Sequence, residues 1–231
     1  MHKFNLQTRM SDLLNEDTLL LSAVGRFGIS LGFGDKCVKD ACEANGIDSE
    51  TFLAVVNFLA EGNVEINETM ENVSLKTVVE YLKNAHVYYL NYKLPSVRSR
   101  LVEAIDSSNQ SIPYREVFLK FFDEYFAEVR NHMEYEDFTL FPYVMRLLEG
   151  ELDRRFNIAV FEEHHTDIET KLDELKKILI KYYPGKGTNY LLTDVLLDLL
   201  WCERDIDAHN QVENFFLVPL IEALEQKLKQ K

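Results

Sequence analysis

The stretch His132-Met133-Glu134-Tyr135-Glu136-Asp137-Phe138-Thr139-Leu140-Phe141-Pro142 returns later in the chain as His209-Asn210-Gln211-Val212-Glu213-Asn214-Phe215-Phe216-Leu217-Val218-Pro219. The shared pattern is H-x-x-x-E-[D/N]-F-x-L-x-P. A His and a Glu four apart on a helix point the same way. Two such pairs on facing helices bring two imidazoles and two carboxylates together inside a bundle, a donor set that suits a pair of iron or manganese ions. One His-x-x-x-Glu pair alone is weak evidence, since surface ion-pair patterns produce it often. Two copies with matching flanks are much stronger.

Working outward, four helical stretches fill the chain after residue 73. The first runs from Ser74 to Ile105, with a bend expected at Pro95, where the ring removes a donor and crowds the preceding turn. The second runs from Pro113 to Leu148 and stops near Gly150. The third covers Leu152 to Tyr182 and ends at Pro184-Gly185, and the fourth begins near Thr188 and continues almost to Lys231. Short connections make sequential neighbours antiparallel, so the expected fold is all-α, an up-down-up-down four-helix bundle over 74–229. Residues 1–70 precede it as a small helical domain.

The inward stripes test the metal reading. On the fourth helix Val195, Leu199, Cys202, Ile206, His209, Glu213, Phe216 and Leu220 follow alternating steps of four and three. Phe118, Phe122, Tyr125, Val129, His132, Glu136, Thr139 and Tyr143 do the same on the second. Polar groups inside an apolar stripe are costly to bury unless paired or ligated. The third helix carries Ile158, Phe161, His165, Ile168, Leu172, Leu175 and Leu179, with His164 off the stripe. The first carries Leu75, Val79, Leu82, His86, Leu90, Leu94, Val97 and Leu101. A lone core histidine is more often structural, but one on each remaining stripe completes a set: His86, His132, Glu136, His165, His209 and Glu213. Two His per metal, with Glu136 and Glu213 bridging and an oxo or hydroxo bridge between the ions, is the natural arrangement. No thiolate belongs to the motifs, which argues against a structural zinc site. Manganese or zinc remain substitutes for two iron ions. No residue is assigned a catalytic role. Tyr89 and Tyr125 lie near the stripes and read first as core lining.

Composition narrows the partners. A net charge of −14 argues against nucleic acid or an anionic membrane surface. Cys37, Cys42 and Cys202 are too few and too scattered for a disulfide framework, so a reducing, cytoplasmic setting is expected. No apolar run is long enough to span a bilayer, and no basic-then-apolar leader is seen.

The order of these motifs resembles the hemerythrin-type HHE bundle, closest to the repair-of-iron-centres (RIC) proteins, di-iron proteins linked to nitrosative and oxidative stress. The resemblance covers roughly residues 74 to 225 and places that family's four His and two Glu ligands on the six residues above. Oxygen-carrying hemerythrins have an extra His four residues along the third helix, where this chain has Glu169. The segments from Met10, from Val24 to Cys37 and from Ala41 resemble the small RIC N-terminal domain. That domain carries two adjacent cysteines where Gly32 and Phe33 stand here, and Cys37 and Cys42 do not match them. Those two read as small buried hydrophobes. Residues 1–70 are therefore expected to give no metal ligand. Phe33, between two glycines, reads as an exposed apolar tip for docking or for a homodimer.

The resemblance implies a non-haem di-iron protein that reacts with or senses nitric oxide, dioxygen or peroxide in a stress response, as an oxidoreductase or in support of iron-sulfur cluster repair. The alternative is a non-catalytic iron or oxygen store or sensor. A helical interaction module with a vestigial site is a third reading.

Overall fold

The computed structural model describes residues 3–61, 70–107, 114–152, 156–159, 169–183 and 189–230. Among them the regular structure is helical, apart from one isolated bridge between Arg9 and Cys37. The fold is all-α, a helical bundle with additional helices at its N-terminal end. The early helices are α1 (Met10–Leu14), α2 (Thr18–Arg26), α3 (Val38–Asn45) and α4 (Ser49–Glu61). The long helices follow as α5 (Leu75–Tyr88), α6 (Leu94–Asp106), α7 (Arg115–Tyr135), α8 (Phe141–Leu148), α9 (Glu169–Tyr182), α10 (Tyr190–Val212) and α11 (Val218–Lys229).

Local chemistry sets several boundaries. Asp17 caps α2 by accepting from the Leu19 amide at 2.8 Å, satisfying one of the donors that a helix start leaves free. Helix α8 stops where the sequence places its stop. Gly150 adopts φ 88°, and the amides of Gly150 and Glu151 turn back onto the Leu147 and Arg146 carbonyls at 2.9 and 3.0 Å. That is a Schellman closure, for which a residue without a Cβ is best suited.

Three joints between helices are π-helical: Tyr89–Lys93 between α5 and α6, Glu136–Leu140 between α7 and α8, and Glu213–Leu217 between α10 and α11. Each ends two residues before a proline, Pro95, Pro142 or Pro219. A proline withholds its N–H from the carbonyl one turn back, and its ring crowds that carbonyl. A wider turn just ahead of it absorbs the conflict without ending the helix. The expected bend at Pro95 is thus a π-turn, and the motif proline has the same role twice more.

The wider turn displaces single positions of the inward stripe, which is regained at Leu94, Val97, Tyr143 and Phe216, all buried as predicted. Leu140, not Thr139, is buried after Glu136; Ile221, not Leu220, is buried after Glu213; and Tyr89 is buried where the stripe predicts Leu90. Steps of four and three hold only while the helix keeps its α pitch.

The chain divides into two compact units. The first comprises Met1–Ala85, Phe141–Ile158 and Ala208–Lys231. Here Phe27 stacks against Phe52 and Tyr81 at 5.0 and 4.8 Å. Phe58 of α4 meets Phe215 and Phe216 of the second motif copy at 5.1 and 5.3 Å. The Asn57 side chain pairs with the Phe4 backbone on both sides, at 2.7 and 3.0 Å. A buried carboxylate, Glu225, accepts from Tyr143 Oη at 2.7 Å, from the Ile158 amide at 2.9 Å and from Lys229 at 3.1 Å. Burial would raise its pKa, but these donors outweigh that and hold it below the usual glutamate value. Phe33 is half-buried, and the exposed apolar residue of that loop is Leu31, 66% accessible.

The second unit comprises His86–Leu140 and Ala159–Asp207. Leu94, Val97 and Leu101 of α6 pack with Phe118, Phe122, Tyr125 and Val129 of α7, Leu172, Leu175 and Leu179 of α9, and Val195, Leu199 and Cys202 of α10 in one core. These are the predicted stripe residues, and truncating one such as Phe122 to Ala costs about 3–5 kcal/mol. Burial, first of all, raises the Cys202 thiol to about 12; it does the same for Cys42. Both therefore stay as thiols and act as small apolar groups. No helix among the described residues is long and apolar enough to cross a membrane.

Candidate metal centre

Glu136 and Glu213 are each the first residue of a π-turn, one helical turn after His132 and His209. π-Turns inside α-helices recur at functional sites because they re-aim side chains that a regular helix would place elsewhere.

His86, Glu136, His209 and Glu213 come together. Each offers one ligand atom, these atoms lie within 4.8 Å of one another, and all four residues are buried. His209 Nε2 stands 2.9 Å from Glu213 Oε1. The Glu136 carboxylate is approached at both oxygens, by His86 Nε2 at 3.0 Å on Oε2 and by His132 Nε2 at 3.2 Å on Oε1. His132 thus joins the site through Glu136. His165 and His164 lie outside the described residues.

The orientation of His86 is set from behind. Its Nδ1–H donates to Asp137 Oδ1 at 2.9 Å. With that proton on Nδ1, the lone pair of Nε2 faces a carboxylate oxygen in a fully buried position. Two lone pairs 3.0 Å apart are stable only with a positive charge between them, a proton or a metal ion. Two imidazole nitrogens and two carboxylates converging without thiolate suit a divalent or trivalent ion of the iron or manganese type. The residues present fit a metal.

The hemerythrin HHE cation-binding domain model matches residues 77–221, more than half of the chain. The chain belongs to this family. Neither the curated proteins nor the solved structures contain a match to it. In this HHE domain the His and Glu of both motif copies stand at a buried site, and the prolines that close the copies account for the π-turns that aim the two glutamates. Metal binding at this site is the property that family and geometry share.

Two features of the core escape stripe reading. Asp137 is visible in the sequence as the [D/N] of the motif, but nothing local says that it reaches a histidine on another helix. Asp205, one turn before His209 on α10, is fully buried and accepts a hydrogen bond from the Tyr89 hydroxyl, itself fully buried. Tyr89 opens the third π-turn, the place that Glu136 and Glu213 hold in theirs. Nearby in the core, burial first of all, with the carboxylates of Glu203 and Asp205 adding to it, pushes the Tyr125 phenol well above its usual value. It stays protonated.

Proposed function

We propose that this HHE protein binds two iron ions, with His86, His132, Glu136, His165, His209 and Glu213 as ligands and Glu136 and Glu213 bridging. The observation that carries the reading is the convergence of both motif copies on one buried cluster. The iron pair supplies one-electron redox steps and open coordination positions for a small diatomic ligand. The protein's own part is to hold the donors ready. Asp137 fixes the His86 tautomer, the π-turns set the glutamates, and the apolar core of the second unit keeps the surroundings dry.

The substrate class proposed is nitric oxide, dioxygen or peroxide, in a stress response of the kind served by RIC proteins, whose motif order this chain resembles. Support of iron-sulfur cluster repair belongs to the same reading. It would proceed without the paired N-terminal thiols, since Gly32 and Phe33 occupy those positions and Cys42 is held as a thiol.

The test is anaerobic loading with ferrous iron, metal analysis, an optical spectrum after air exposure, and then mixing of the di-ferrous protein with nitric oxide or peroxide. About two irons per chain, with near-ultraviolet charge-transfer bands, is the expected result. Multiple turnover of nitric oxide or peroxide supports the reactive role, whereas stoichiometric binding without turnover assigns storage or sensing. A protein that takes up one zinc and no iron would sink both.

A further inference from the structure

The π-turn Tyr89–Lys93 buries a phenol where the inward stripe calls for Leu90. Tyr89 lies in the core of the second unit, three residues after His86, or about 4.5 Å along the helix axis. A hydroxyl taken out of water needs a partner. Tyr89 donates to the carboxylate of Asp205, which is fully buried as well.

Tyr89 is also the inner end of a line of oxidisable rings. Tyr88 meets it edge-on at 5.6 Å, and Tyr92 stands 5.8 Å beyond Tyr88 and is 66% exposed. Trp201 of α10 forms a side branch, 6.1 Å from Tyr88. The Lys93 ammonium lies 4.6 Å over that indole and opposes a positive charge on it. Asp198 binds Lys93 at 2.8 Å but is shared with Arg100, so the surroundings of the indole stay positive. The easier outlet is Tyr92.

Two other buried phenols lack this combination. The Tyr125 hydroxyl has no hydrogen-bond partner among the described residues, and its ring packs against Phe122 at 6.4 Å. Tyr143 donates to a carboxylate, Glu225, but packs on Phe156 at 4.8 Å. A phenyl ring without a hydroxyl resists oxidation at potentials where a phenol yields. Among the described residues, Tyr89 has both a base in contact and oxidisable rings leading outward.

We propose, on the di-iron reading of the site, that Tyr89 and Asp205 form a relay by which electrons reach the centre from the surface at Tyr92. A phenol stripped of an electron becomes a very strong acid, so its oxidation in a dry core needs a base already in place. An electron leaves Tyr89 for the oxidant, peroxide, as the phenol O–H breaks and its proton forms an O–H bond on Asp205. The neutral Tyr89 radical then draws an electron from Tyr92 through the Tyr88 ring and recovers its proton from Asp205. Tyr92 releases its own phenol proton to water. An external donor such as ascorbate restores it, with a proton from solvent. Two passages deliver two electrons, which with two protons from solvent reduce one hydrogen peroxide to two waters.

The whole protein, loaded anaerobically with ferrous iron, is treated with peroxide and a nitroso spin trap in the absence of ascorbate. Adducts are located by peptide mass spectrometry, and iron content and the optical change on oxidation are read on the same samples. The adduct is expected on Tyr92 and not on Tyr190, which at 77% is more exposed but touches no ring of this line. Tyr89→Phe and Asp205→Asn should lose the Tyr92 adduct while keeping iron and its optical change; should Asp205→Asn fail to fold, Tyr89→Phe decides alone. Trp201→Phe should keep the adduct. Equal marking of Tyr92 and Tyr190 means freely diffusing radicals and overturns the relay, as does a Tyr92 adduct that survives Tyr89→Phe. An adduct on Trp201 in place of Tyr92, or one lost in Trp201→Phe, puts the outlet at the indole and refutes the Tyr92 route. Iron that oxidises in the wild type with no adduct refutes the relay and leaves the di-iron reading standing, whereas a chain that takes up no iron refutes both.

Discussion

Replacing Asp137 tests the logic of the centre without touching a ligand. The Asp137 carboxylate accepts a hydrogen bond from His86 Nδ1–H at 2.9 Å and leaves Nε2 to face the cluster. Removing such a partner typically costs 10–100-fold in metal affinity, or about 1.4–2.7 kcal/mol. The structure places this case toward the lower end. The Asp137 side chain is 30% accessible, so water can take over part of its role once the carboxylate is gone. The substitutions should also rank. Asn keeps an acceptor oxygen at the same reach, and the second motif copy carries Asn214 at this position; Asp137→Asn should therefore weaken binding by about threefold to tenfold. Asp137→Ala removes the acceptor altogether and should weaken it by about tenfold to thirtyfold. Anaerobic competition against a chelator of known affinity, with ferrous or cobaltous ion, reads both. Thermal unfolding of the apo proteins separates loss of affinity from loss of fold. Equal affinities in wild type, Asn and Ala variants would refute the orienting role. An Asn variant weaker than Ala would show that the wrong tautomer, not the missing acceptor, is at fault.

Further outcomes can be checked directly. Glu136→Ala or Glu213→Ala should lower bound iron far more than His164→Ala or Glu169→Ala, as measured by metal analysis, and equal retention in all four rejects the ligand assignment. Glu225→Gln should cost about 1–2 kcal/mol at neutral pH, because the charge that Tyr143, the Ile158 amide and Lys229 stabilise is lost. The Glu225 pKa is depressed in the folded state, so its contribution is present above the unfolded value, near 4.5, and is lost as pH falls through the folded value. Denaturant titrations should show the wild-type advantage shrinking on acidification, and an advantage that grows instead reverses the argument. Cys37→Ser with Cys42→Ser should leave iron content and diatomic reactivity intact. Because Cys42 is fully buried, the pair should cost about 1–3 kcal/mol in stability. Reactivity lost from a variant that keeps its iron spectrum would give one of these thiols a functional role.

The chain itself determines the helical periods, the stop at Gly150 and, among the described residues, the inward stripes that lead up to the two motif copies. It also determines the His-to-Glu step of four, because all of these depend only on residues within a turn or two of one another. The same locality explains what periodicity misreads. Steps of three and four carried past Glu136 and Glu213 predict Thr139 and Leu220 inside, where Leu140 and Ile221 are buried. The cause, a π-turn ahead of a proline, lies in the motif but acts through backbone hydrogen bonding rather than hydrophobicity. Other features exist only once helices pack. Asp137 is a motif letter until α5 brings His86 within 2.9 Å. Asp205 looks like an ordinary helix carboxylate until Tyr89 meets it in the core. Leu197 and Leu200 are indistinguishable in sequence from buried Leu199, because a helix apolar on several faces does not say which of them its own bundle covers. Spacing along a helix fixes which side chains share a face; what that face meets is decided by residues far away in the chain.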